Sequence, residues 1–206
     1  ANTTQSSHTA IGYNALAANT TGHSNTAVGA YALDTNDAGS ANVAIGYAAL
    51  TANTGGSSSV AIGYNAMDSN TTGANNVAIG DDALGANTDA SYNTAIGYHA
   101  LTANTTGQYN TAVGDQALDA ITTTSYCTAV GRQALTSQTG TGQNDAFGNR
   151  AAYGVTTGSA NVCLGNHAGY NITTGDNNVV IGRYAIGDSG GTGNNCTSDN
   201  NVIIGL

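Results

Sequence analysis

Val60-Ala61-Ile62-Gly63 and Val77-Ala78-Ile79-Gly80 are successive copies of one tetrapeptide whose relatives recur along the whole chain. The copies begin at positions 9, 26, 43, 60, 77, 94, 111, 128, 145, 162 and 179, a step of 17 each time, and a twelfth begins at 202 after a step of 23. In most copies β-branched residues at the first and third positions flank a small one, the period-two alternation of a strand. The fourth position is always glycine: Gly12, Gly29, Gly46, Gly63, Gly80, Gly97, Gly114, Gly131, Gly148, Gly165, Gly182 and Gly205. A glycine at the same place in every copy marks a turn that needs φ > 0 or leaves no room for a Cβ. Self-similarity at so short and regular a period is the mark of a stacked repeat.

Outward from that tetrapeptide, each repeat continues with two variable residues, an Ala-Leu pair such as Ala32-Leu33 or Ala100-Leu101, a stretch close to Ala-Asn-Thr-Thr-Gly, and a closing Asn. Gly and Asn at these spacings disfavour a helix, so the Ala-Leu pair reads as a second short strand whose Leu meets the Ile or Val of the first. The Asn-Thr-Thr-Gly stretch is turn chemistry. The expected architecture is all-β: a parallel β-solenoid of 17-residue coils with two short strands per coil. Regular coils fill 1–187, about eleven of them. An enlarged loop and a final partial coil occupy 188–206, a candidate cap or junction.

Stacking places like residues on like. Asn25, Asn42, Asn76, Asn93, Asn110, Asn144, Asn161, Asn178 and Asn201 are expected to form an amide ladder. A second row, Asn19, Asn36, Asn53, Asn70, Asn87 and Asn104, gives way to Ile121, Val155 and Ile172. The burial and hydrogen bonds of one thin coil barely exceed the entropy of ordering its backbone. Lateral association through the Ala row from Ala10 to Ala146 is therefore expected.

Composition narrows the function. The 206 residues hold 12 acidic side chains, all Asp, and three basic ones, Arg132, Arg150 and Arg183, for a net charge of −9. That balance argues against nucleic-acid phosphates and anionic lipid as partners, and no apolar run is long enough for membrane insertion by this segment. Proline is absent, as expected where backbone N–H groups serve a ladder. The chain opens in mid-repeat, which reads as a segment of something longer. Cys127, Cys163 and Cys196 are odd in number and fall at three different repeat positions, so they form no disulfide framework.

Catalysis needs unlike groups brought together, whereas this chain spreads like groups along a line. Asp81-Asp82 reads as a solvated turn, and His8, His23, His99 and His167 lack partners at metal-ligand spacing. No enzyme activity, metal or cofactor is expected. The aromatic pattern points instead to contact with a partner: Tyr13, Tyr47, Tyr64 and Tyr98 follow the turn glycine, while Tyr92, Tyr109 and Tyr126 share a place near the closing Asn. Such rows suit sugar rings or a receptor surface, or else brace the rod by stacking on one another. Asn-x-Ser/Thr sequons begin at Asn19, Asn70, Asn104 and Asn171, and also at Asn2 and Asn195, making the loops candidates for glycosylation.

The Val-Ala-Ile-Gly strand, its glycine turn, the following Ala and the closing Asn together resemble the head repeat of YadA-like trimeric autotransporter adhesins. They are similar too to repeats of bacteriophage tail fibres and large secreted bacterial repeat proteins, and the resemblance spans essentially the whole chain. It implies a left-handed β-roll, three chains side by side in a homotrimer, and an extracellular place on a cell surface or virion. The repeat here is longer than the adhesin pattern, with the additional residues in the Asn-Thr-Thr-Gly loop. The expected function is a structural and adhesive fibre segment that displays its loops to a host-surface receptor or glycan. The alternatives are a self-assembling extracellular filament subunit and an ice- or calcium-binding solenoid.

Overall fold

The computed structural model describes residues 7–187 and 196–205. They form twelve three-residue strands: β1 (Thr9–Ile11), β2 (Thr26–Val28), β3 (Val43–Ile45), β4 (Val60–Ile62), β5 (Val77–Ile79), β6 (Thr94–Ile96), β7 (Thr111–Val113), β8 (Thr128–Val130), β9 (Asp145–Phe147), β10 (Val162–Leu164), β11 (Val179–Ile181) and β12 (Val202–Ile204). All twelve lie in one parallel sheet in sequence order, and no helix occurs among the described residues. The chain is a parallel β-solenoid. Thr9 stands against Thr26, Val60 against Val77, and Val179 against Val202 across the longer last step. Most of the enlarged loop anticipated after 187 lies outside the described residues, as do Asn2 and Asn195. The chain is described again from Cys196, which forms an isolated parallel bridge with Ile172.

The sheet faces the opposite way from the sequence expectation. The central strand residues, Ala27 through Ala146 and then Cys163 and Val180, are buried, whereas the first and third residues point out. The Ala row therefore lines the interior of the coil and is not a surface for lateral contact. The small residue is inside because the coil is thin: opposite it, Leu33, Leu50, Met67, Leu84, Leu101, Leu118 and Leu135 already fill the core.

The second strand of each coil is not a strand. The Ala-Leu segment is a turn, with φ near +55° at Asn14 and Leu16, +53° at Leu50 and +52° at Leu118. Consecutive strand side chains point to opposite faces, yet Ala32 and Leu33, or Ala49 and Leu50, are both wholly buried. The left-handed Leu brings two adjacent side chains to the same side. Hydrogen bonding between coils continues through the turn, with Leu33 N–H donating to Ala49 O at 3.0 Å, while Gly29 N–H donates in the opposite chain direction to Ile11 O at 2.8 Å.

The turn glycines stack as expected. Gly46 has φ +134°, and a Cβ on it would stand 2.2 Å from the Gly63 carbonyl oxygen; the same close approach recurs from Gly12 to Gly182. Gly205 is the exception: it lacks positive φ, and an added Cβ would come no closer than 3.3 Å to Ala185.

Both asparagine rows are buried, apart from the half-buried Asn201, but the amide-to-amide ladder expected along the row beginning at Asn25 runs mainly along the other. The amide-to-amide ladder is the row beginning at Asn19: Asn36 Nδ2 donates to Asn19 Oδ1 at 2.8 Å, Asn53 to Asn36 at 2.7 Å and Asn70 to Asn53 at 2.9 Å. Each of these Nδ2 groups also donates to a carbonyl three residues on, as Asn53 does to Gly56 O at 2.9 Å. In the other row, from Asn25 to Asn110, side chains bond backbone instead: Asn25 Nδ2 donates to Gly39 O, and its Oδ1 accepts from Asn42 N–H. Amide-to-amide bonds enter that row only from Asn144 to Asn201. The first ladder ends at Asn104, whose buried Oδ1 has no hydrogen-bond partner because Ile121 stands where the next donor belongs.

Candidate interaction surfaces

Three surfaces are built by the stacking. The first is the outer face of the sheet. Its two files, Thr or Val at the first strand position and Ile, Val, Phe or Leu at the third, carry one charged residue in twelve strands, Asp145. Ile45, Ile96, Phe147 and Leu164 are exposed, at 36 to 47%. Because equivalent residues are in register, the apolar side chains form a continuous stripe along the rod rather than scattered spots, a distinction that matters for association.

The second surface is aromatic. Tyr13, Tyr47, Tyr64 and Tyr98 are exposed on the turn after the glycine. Tyr47 and Tyr64 stack at 5.2 Å, and Tyr13 is linked to Tyr47 through Tyr31, edge-on to both at 5.5 and 5.7 Å. Tyr31 completes the row from the neighbouring turn position, where Ala30 leaves the first one empty; reading strictly by repeat position misses it. Tyr98 stands apart from these rings and stacks on His99. Tyr92, Tyr109 and Tyr126 form a parallel stack with ring centroids 5.0 and 5.3 Å apart. All three occupy left-handed backbone, with φ between +58° and +64°, a geometry that turns each ring outward. The stack ends at an open groove of about 670 Å³ whose lining includes Tyr126, Thr123, Thr139, Thr141, Gln143 and Ser159. Here Gln143 replaces the next tyrosine, and Gln138, donating to Thr141 O at 2.8 Å, replaces the ladder asparagine.

The third surface is charged, and the sequence reading did not single it out. The turn after the glycine carries Asp81, Asp82 and Asp115 in its middle coils, then Arg132, Arg150, His167 and Arg183 in its later ones. Asp82 and His99 approach to 3.4 Å, and Arg132 and Asp115 to 3.2 Å. Among the described residues the second is an ion pair and the first is one only with a protonated imidazole, which leaves Arg150 and Arg183 without a carboxylate partner there. The signal was present in the sequence: every basic residue of the chain falls one or two places after a turn glycine.

The sequon asparagines lie inward. Asn19, Asn70 and Asn104 are buried with Nδ2 donating to Gly22, Gly73 and Gly107 carbonyls, and Asn171 is buried as well. A sugar on any of the first three would break the ladder. Cys127 and Cys163 are buried and Cys196 half-buried, all as free thiols, and burial pushes the Cys163 thiol up to about 12. Among the described residues no three His, Cys or Asp side chains converge as a metal site, and no helix is long and apolar enough to cross a membrane.

The fold and these surfaces define a parallel β-solenoid with one apolar face and aromatic and charged turn edges. In comparison with known proteins, the chain matches no family, no curated sequence and no solved structure.

Proposed function

We propose that the chain is a non-enzymatic structural and adhesive segment of an extracellular fibre, in which three copies associate side by side through the outer faces of their sheets. One observation carries this reading: the in-register apolar stripe along the whole sheet, with a single charge on it. Burying such a stripe returns about 25 cal/mol per Å² of apolar surface, and a stripe repeated on every strand can be covered by another rod of the same pitch. At about 4.8 Å per strand, the twelve strands span a length on the order of 55 Å. The tyrosine rows and the longer Asn-Thr-Thr-Gly loops are then the display surface for a receptor or glycan. The trimeric count, the left hand of the roll and the extracellular setting rest on the resemblance of the repeat to YadA-like adhesin heads.

Sedimentation equilibrium tests the association. A species of three 20.3 kDa chains is expected, and the double substitution Ile45→Lys/Ile96→Lys should yield single chains that keep the β-sheet circular dichroism signal. A wild-type protein that sediments as a stable monomer would overturn the reading.

A further inference from the structure

We propose that the turn edge of the later coils is a binding site for an acidic polysaccharide, carboxylated or sulfated, held by Arg150, His167 and Arg183. The side chains form one connected chain of cations and rings. The Arg150 guanidinium lies over the Tyr153 ring, 5.5 Å from its centroid. Tyr153 stacks on Tyr170 at 4.9 Å with planes 3° apart. His167 lies 5.2 Å from Tyr170 and 5.1 Å from Tyr184. Arg183 closes the series over Tyr184 at 4.7 Å.

Three features of this arrangement point to an anionic ligand. First, in a protein of net charge −9 the cations are gathered on one edge, and neither Arg150 nor Arg183 has a carboxylate within ion-pair distance among the described residues. Arg150 Nε donates to Gln133 Oε1 at 2.9 Å, which fixes the guanidinium and leaves its two terminal amino groups for a ligand. Second, His167 senses both arginines: partial burial, and then Arg150 and Arg183, hold its pKa below the ordinary imidazole value. The three groups therefore share one electrostatic neighbourhood. Third, Arg150 stands two places after Gly148 and Arg183 one place after Gly182, two coils further along the same turn edge, with His167 in the coil between, so the charges are spread along the rod over about two strand steps, roughly 10 Å. A polymer that repeats its charges fits such an edge better than one isolated anion does.

The rings select the polymer. Guanidinium groups take carboxylate or sulfate oxygens two at a time, and the tyrosines, their faces taken up in the series, leave ring edges and phenolic hydroxyls to meet the hydroxyls of a sugar. Because ring contacts already hold the cations, little side-chain freedom is lost on binding. A nucleic acid would also meet cations and rings, but its single strand binds by stacking bases on open aromatic faces, and the faces of Tyr153 and Tyr170 are already taken by Arg150, by each other and by His167. The inference deepens the display reading above and is separable from it, since a rod that binds no acidic sugar can still sediment as a trimer.

The test is calorimetric titration of the full chain with an oligogalacturonate, a sulfated heparin hexasaccharide, neutral maltohexaose and a short single-stranded DNA, at one low salt concentration. At least one acidic sugar is expected to bind, more weakly as salt is added, with maltohexaose silent. Arg150→Gln and Arg183→Gln should each weaken binding about tenfold, whereas Arg132→Gln, whose arginine already pairs with Asp115, should change it less than about twofold. Melting temperatures of the variants identify any loss that reflects unfolding, and Arg183→Gln, on an exposed side chain, is the one least able to disturb the fold. Equal binding of maltohexaose, tighter binding of DNA than of both acidic sugars, no binding of either acidic sugar, or an unchanged affinity in the folded Arg150→Gln/Arg183→Gln protein would each overturn the proposal.

Discussion

Cys163 occupies the space that Gly169 gives up: a Cβ built on Gly169 would stand 2.4 Å from the Cys163 sulfur. In earlier coils the strand centre is Ala and the turn residue is Leu, as in Ala44 and Leu50, both fully buried. Coil by coil toward the C-terminus the partition changes. Leu gives way to Ala152 and Gly169, and Val155 and Ile172 fill the core from the place once held by the ladder asparagine. The cross-section is kept while its contents are redistributed, as close packing requires.

The first prediction follows from this exchange. Gly169→Ala should destabilise the protein by about 2 kcal/mol, since it meets the sulfur and imposes a side chain at φ +66°. In a Cys163→Ala background the same substitution should cost roughly half as much, a coupling measurable by urea denaturation of the four proteins in the cycle. Additive effects would mean that the two positions are not packed on one another.

The amide ladder makes the second. Asn53→Ala removes the donor to Asn36 Oδ1 and the acceptor for Asn70 Nδ2, leaving a buried oxygen unpaired, and should cost about 2–3 kcal/mol. Asn104→Ala should cost less, because that residue ends the ladder with a long 3.4 Å bond to Asn87 and an oxygen that already lacks a donor. An equal loss at the two sites in thermal melts would contradict the ladder's role.

Backbone strain gives the third. Ala41 is exposed at φ +56°, whereas Ala44 is buried at a strand centre three residues later. Ala41→Gly should stabilise by about 0.5 kcal/mol, as relief of the left-handed strain outweighs the greater entropy of glycine in the unfolded chain, and Ala44→Gly should destabilise by about 1 kcal/mol. The opposite order of midpoints in denaturant would sink the assignment of left-handed backbone at residue 41.

Titration gives the fourth. Burial, aided by the Asp82 charge and opposed by the Ser69 hydrogen bond, raises the Asp68 carboxyl above its ordinary pKa. The folded protein therefore takes up this proton before the unfolded chain does. Ionised Asp68 costs stability at pH 7, and that cost is relieved as pH falls through the raised folded value. Asp68→Asn should accordingly raise stability at pH 7 by a few tenths of a kcal/mol, with the gain fading below about pH 4. A gain that is the same at both pH values would exclude this origin.

Much of this architecture was written plainly in the sequence. The first strand, the turn glycine and the stacking of like on like follow from a period of two inside a longer repeat. The direction of the sheet did not, because an alternation such as Val-Ala-Ile says which side chains share a face but not which face is inside. That choice is made by volume: with Leu50 across the coil there is room for Ala44 and none for Ile45. The Ala-Leu turn reads as a strand because its left-handed Leu breaks the rule linking strand period to burial, and two adjacent apolar residues that are both interior are the sign of it. The charged edge went unread for a different reason, since its members are related through stacking and not through any local motif.

The sequential order of the sheet has a mechanical consequence. Every strand pairs only with the one before and the one after it in the chain, so tension applied between the two ends runs through all the rungs in series, and the end rungs, held from one side only, give way first. Such a rod should peel in small, similar steps under an optical trap while remaining stiff to sideways bending, the behaviour of a tether that yields one notch at a time.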